Sequence, residues 1–210
     1  MQNIDATRIL DALASLSSKN AKVFGANGHS FRLAPALPEA SVNEFERVHG
    51  VSLPSDFRQF LIHVGNGGAG PFYGLFPLDK IDGPFGFEAW PDGLIGILSE
   101  PFPIVDDWND LSGMPTRELA DRDKSEYYRQ YEVFDTNYWR ASLVNGAIPI
   151  CDEGCALRVL LVVTGREAGF LWEDRRSEYG GLKRLRLADG SPATFARCYE
   201  EWLNSCLATL

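Results

Sequence analysis

The last third of the chain limits the fold most. Four apolar segments, residues 147–151, 157–164, 169–173 and 182–187, follow one another with turn residues between them, Thr164-Gly165 and Gly180-Gly181 included. No helical pattern separates them, so they read as a sheet meander. Helices precede it. Ile9, Leu10, Leu13 and Leu16 recur at helical spacing, and that helix is expected to end near Ser17 and Ser18. Ser41 with Glu44 makes a capping box, Phe45 and Val48 share a face, and Gly50 suits a left-handed stop, which predicts a helix over 41–49. Pro54 and Ser55 open the next, whose Phe57, Phe60, Leu61 and Val64 follow i, i+3, i+4, i+7 before Gly65.

Residues 72–78 and 94–98 read as short strands between Gly and Pro-rich turns. Residues 101–115 are irregular and acidic. Residues 116–134 predict one charged helix with Leu119, Tyr127, Tyr128 and Tyr131 as its apolar members. A closing helix is expected with Ser191 as its cap and Pro192 in its first position, carrying Phe195, Tyr199, Trp202, Leu203 and Cys206 on one face. Helices, then strands, then a helix is an α+β order rather than βαβ alternation.

With 210 residues, 45% of them hydrophobic, the chain can bury a substantial core as a single domain over 1–210. Aromatic and charged fractions of 12% and 23% are globular values and exclude a disordered chain. Asp5, Arg8 and Asp11 interrupt the N-terminal apolar residues, so no secretory signal is expected there. No apolar run approaches the roughly 20 residues that span a bilayer. A cytoplasmic location is the expectation, and Cys151, Cys155, Cys198 and Cys206 are expected to be reduced core thiols.

The net charge of −9 is unevenly spread. Residues 80–135 carry 5 basic and 13 acidic side chains and so supply −8 of it. Such a segment repels phosphates, which argues against nucleic acid or an anionic membrane and favours a protein partner with a basic surface.

Most motifs have an ordinary reading. Gly65-Asn66-Gly67-Gly68-Ala69-Gly70 satisfies G-x-G-x-x-G, but it follows a helix where a dinucleotide site must follow a strand, so it is read as a turn. Cys151 and Cys155 are spaced like half a zinc site, yet no second pair completes it and His29, His49 and His63 are scattered; no metal and no cofactor are expected. No G-x-S-x-G or H-E-x-x-H pattern supports a catalytic residue. His49 and His63 are placed near helix C-termini, where a cation suits the dipole.

One constellation stands out. Trp90, Phe102, Trp108 and Tyr127 to Tyr131 alternate with Asp92, Glu100, Asp106, Asp107, Asp110, Glu118, Asp121 and Asp123. Aromatic anchors within a charged rim are what protein interfaces use. Equally, aromatics fill cores while acids solubilise. Both readings stand at this point.

Three segments together carry a family resemblance. Glu44 to Gly50, then Val51-Ser52-Leu53-Pro54-Ser55-Asp56-Phe57 with Phe60-Leu61, then Asn66-Gly67-Gly68, resemble the signature of the SUKH superfamily. Ile148-Pro149-Ile150, the strand ending at Gly165, Gly169-Phe170-Leu171-Trp172 and Phe195 before Trp202-Leu203 agree with it, so the likeness covers roughly 38–205. It implies an α+β fold with a central, mainly antiparallel sheet flanked by helices. The part from about 1 to 65 would be helical, the part from about 147 to 208 sheet plus closing helix, and the acidic stretch from about 99 to 135 an insertion. The resemblance further implies a non-enzymatic protein-binding module. Its bacterial members are immunity proteins that bind and neutralise a cognate toxin, and its fungal relatives are cell-wall-synthesis regulators, which makes a regulatory scaffold the alternative. An enzyme with an unrecognised pocket is the remaining reading. A monomer or weak dimer is expected, with Trp90, Asp92, Glu100, Asp106, Asp107, Trp108, Asp110, Glu118, Asp121 and Asp123 at the partner surface.

Overall fold

The computed structural model describes residues 4–78 and 95–210. The segment expected as a strand at 94–98 therefore begins outside the described residues.

Four helices come first. In α1 (Ala6–Ser18) Asp5 caps the start by accepting from the Arg8 N–H, and Ile9, Ala12, Leu13 and Leu16 are buried at the expected spacing. A single turn, α2 (Ala26–His29), leads to α3 (Glu39–His49) and α4 (Ser55–His63). Helix α3 starts earlier than the capping box suggested. Pro38 occupies the cap position, Ser41 lies inside the helix, and Glu44 is drawn to Arg47 at 2.6 Å instead of back to the N-terminus. Gly50 does take the left-handed conformation that ends it.

The middle and last parts alternate less simply. The single helix expected over 116–134 is two, α5 (Arg117–Arg122) and α6 (Lys124–Tyr138). Asp123 divides them because its extended backbone lets its carboxylate accept from the Glu126 N–H and cap α6. Strands β1 (Ala147–Gly154), β2 (Leu157–Val162), β3 (Leu171–Asp174) and β4 (Leu182–Arg184) form one sheet in that order, each pair antiparallel. The chain closes with α7 (Phe195–Leu207). Thr194, not Ser191, holds the cap position of α7. Ser191 is claimed by Asp189, whose Oδ1 accepts from its N–H and hydroxyl at 2.8 and 2.5 Å, and Ala193 is paired to Leu185. Those bonds keep 191–193 extended.

Residues 72–78 form no regular strand. Phe72 is left-handed at φ 54° and Gly74 has φ 112°, so only Tyr73 and Phe76 donate to the outer edge of β1, at the carbonyls of Asp152 and Ile150. Residues 95–98 likewise lack strand pairing. They are held by the Ile97 N–H on Asn145 Oδ1 at 2.9 Å.

Side chains alternate across the sheet, and both faces are covered. Ile148, Ile150, Val159, Leu161 and Leu171 face a core shared with α1, α4 and α7. Ala147, Leu160, Val162, Trp172 and Leu182 face a second core with Phe76, Phe102, Leu143 and Val144, against which Ile95, Ile104 and Trp108 pack. Double coverage explains why 159–163 reads as an unbroken apolar run rather than an alternating one. Each Val, Leu, Ile or Phe side chain among them stabilises the fold by about 1.5–3 kcal/mol when fully buried.

The motif residues around 53–68 have structural work. Asp56 Oδ2 accepts from the Ala196 N–H at 2.9 Å, supplying α7 with a cap from another helix. Phe57 and Phe60 meet Phe195 edge-on at 4.9 and 5.0 Å. Asn66 Oδ1 accepts from Leu78 at 2.8 Å, and Gly68, at φ 98°, lies so near the Arg32 carbonyl that a Cβ would collide with it. The Gly-rich run is thus a joint between α4 and the sheet edge. Three of the cysteines match expectation in being buried or half-buried; Cys155 is exposed at the β1–β2 turn, where it and Ala156 both adopt positive φ.

Candidate protein-binding surface

The segment from Ile95 to Val144 lies over the second face of the sheet. Its course is set by backbone bonds at two ends: the Phe102 N–H donates to Thr164, just past β2, and Trp108 exchanges two bonds of 2.8 Å with Leu182 on the outer edge of β4. Phe102 is buried edge-on against Trp172 at 5.1 Å. Trp108 is half-buried and packs on Tyr138 at 5.3 Å. The aromatics at 102 and 108 therefore serve the core, and the acids between them point outward.

Helix α6 fastens the segment a second time. Phe134 and Tyr138 are buried, Tyr131 and Tyr179 share a hydroxyl–hydroxyl bond of 2.7 Å, and Asn109 accepts from the Tyr138 hydroxyl while donating to the Tyr179 carbonyl. That hydroxyl bond, with partial burial, pushes the Tyr131 phenol up to about 12. Beneath lies a buried ion pair. Arg176 donates to Asp174 through Nε at 2.8 Å and Nη2 at 2.7 Å, their side chains are 0% and 2% exposed, and the guanidinium stacks on Trp139 at 4.9 Å. This pair was not foreseen, although strand alternation places Asp174 two residues from Trp172 on the inward face.

The expected partner residues divide by what their carboxylates already do. Asp107 accepts from the Arg184 N–H at 3.1 Å and so covers a donor on the edge strand. Asp110 holds the Ser112 N–H and hydroxyl, which keeps its carboxyl below the usual range. Asp123 caps α6, and Glu118 lies in the first turn of α5, its carboxyl lowered by its own backbone N–H and by Thr116. Glu100, Asp106 and Asp121 are exposed, and their carboxylates form no hydrogen bond or ion pair with any of the described residues. Trp90 and Asp92 lie outside the described residues. Glu100 sits beside the end of β2 and Asp107 beside β4, so the acids spread along the segment instead of converging on one cleft.

Among the described residues no group of His, Cys, Asp and Glu is arranged to hold a metal ion, and no helix is long and apolar enough to cross a membrane. Comparison with curated proteins and with solved structures found no match. A family model, the SMI1 / KNR4 family (SUKH-1), matches residues 36–204, from just before α3 into α7. Both sheet faces and the acidic segment lie within that span, and the antiparallel sheet flanked by helices is the fold that the resemblance implied. The chain belongs to the SMI1 / KNR4 family (SUKH-1).

Proposed function

We propose that the chain is a cytoplasmic, non-enzymatic immunity protein that binds a cognate toxin domain with a basic surface and blocks it, as one module over 1–210 acting as a monomer or weak dimer without cofactor. The observation that carries this reading is the exposed, unpaired set Glu100, Asp106 and Asp121 on a segment whose aromatic underside is fastened to the sheet. A rigid support lets a charged surface meet its partner without an ordering cost, and spread carboxylates raise the rate of encounter. The structural acids Asp107, Asp110, Glu118 and Asp123 complete the proposed surface, Trp108 supports it from the core side, and Trp90 and Asp92, outside the described residues, are proposed as further contacts.

The test separates charge from structure. A triple variant, Glu100→Gln, Asp106→Asn and Asp121→Asn, keeps every hydrogen bond described above. Its association rate with the toxin domain encoded beside it is expected to fall about tenfold at low salt, with a flatter salt dependence and a melting temperature within error of the parent. An unchanged rate and salt slope would remove this surface from the account.

A further inference from the structure

A groove of about 310 Å³ opens on the other side of β4, away from the acidic segment. Phe24, Phe72, Leu185, Leu187, Cys198 and Trp202 line it. Its walls are fixed. Gly25, at φ 76°, lies against the Phe72 carbonyl so closely that a Cβ would collide, which locks the two loops together. Phe24 is 66% exposed and leans on Tyr73 at 5.3 Å, while Trp202 is held edge-on by Tyr199 and His29. Phe72 and Trp202 are half-buried with one side on the core, and Phe24 beside them is left largely open, which makes a contiguous apolar patch.

The groove runs into a second hollow through Leu187 and Glu201, which line both. Asp189, Glu200 and Glu201 stand in that hollow. Its cations are engaged: Arg197 binds Asp189 at 2.7 Å and Ser191, and Arg186 at the groove's edge donates to the Gly190 carbonyl. The Glu200 carboxylate has no ion pair or hydrogen bond with any of the described residues, and the Glu201 carboxylate accepts only from the Ala188 N–H. The apolar floor therefore ends in two carboxylates that lack a cation. Strand addition is closed here, because the Arg184 N–H is covered by Asp107 and Leu187 is paired to Ser191.

We propose that this groove is a second protein-binding site, taking a short segment of a partner that places an apolar or aromatic side chain against Phe24, Phe72 and Trp202 and a Lys or Arg at Glu200 and Glu201. Recognition is by side chains: buried aromatic area supplies affinity, and the paired charge sets direction. The site is independent of the acidic segment and of whether the partner there is a toxin.

Selection of a random dodecapeptide phage library on the full chain tests it. Enriched peptides are expected to carry an apolar or aromatic residue followed within a few positions by Lys or Arg. Phe24→Ser, at an exposed position that leaves the fold intact, is expected to weaken a selected peptide about tenfold or more, and Glu200→Gln with Glu201→Gln about fivefold with loss of salt dependence. No enrichment above a blank surface, acidic consensus peptides, or peptides that bind the Phe24→Ser chain equally well would overturn the proposal.

Discussion

Replacing Asp174 by alanine is expected to destabilise the protein by about 3–5 kcal/mol, the largest single effect outside the apolar cores. Asp174 accepts from the Arg176 N–H as well as from two guanidinium nitrogens, and it also faces Arg158 across the β2–β3 register, a second buried cation. Without the carboxylate, the Arg176 guanidinium loses its ion-pair partner in a dry interior, and Arg158 loses one of its two nearby acids, Asp152 remaining across from it. The double variant Asp174→Leu with Arg176→Met removes that guanidinium along with the carboxylate and is expected to recover at least half of the loss, measured by urea denaturation. A double variant as unstable as the single one would mean that lost packing, not unpaired charge, causes the effect. The pair matters to the proposed surface because Arg176 carries Trp139 and the turn leading to Tyr179, to which α6 and Asn109 are tied. Loosening it should detach the acidic segment first, so amide exchange in α5 and α6 is expected to rise before exchange in β2.

The second large effect depends on pH. The Glu153 side chain is 5% exposed at the end of β1, and one of its oxygens has no hydrogen-bond partner. Burial, and then the neighbouring Glu173, push its carboxyl up to about 7, while Arg175 at 3.7 Å pulls in the other direction and Glu178 and Asp152 add to the rise. Arg175 is shared, since it also pairs with Glu173 and Glu178. The thiols of Cys151 and of Cys198 on α7 feel the Glu153 charge as well and are raised, mainly by burial. The folded state thus holds a proton that the unfolded chain, with an ordinary carboxyl, releases. Stability is expected to fall as pH rises from about 4.5 to about 7 and to stay reduced above that, by on the order of 2–3 kcal/mol. Glu153→Gln should flatten this dependence and melt higher than the parent at pH 8, with little difference at pH 5. Equal melting temperatures at pH 8 would show that the carboxylate finds solvation in the folded protein.

Local pattern revealed the fold wherever one interaction decided an element. The period of Phe57, Phe60 and Leu61 and the left-handed stop at Gly50 appear as read, because burial on one face and a conformation favoured by glycine admit few alternatives. Boundaries slipped where side chains had a competing bond: Glu44 went to Arg47, Ser191 went to Asp189, and Asp123 split a helix that its neighbours would have continued. At the candidate surface, sequence alone could not decide whether Phe102 and Trp108 were anchors or core. That depended on the backbone bonds to Thr164 and Leu182, between 62 and 74 residues away, which turn both rings inward. The same non-local pairing gave Asp107 a strand donor to cover while leaving Asp106 beside it without one. The groove around Trp202 was invisible for a similar reason, as its lining comes from four separate stretches of chain.

The most direct measurement is co-expression of this chain with the protein encoded by the neighbouring gene, the place where immunity predicts a toxin, scoring cell survival together with co-purification of the two proteins. Immunity by direct binding predicts survival and a stoichiometric complex, weakened in the Glu100, Asp106 and Asp121 triple variant. Survival without a complex, or no rescue at all, would contradict immunity by direct binding.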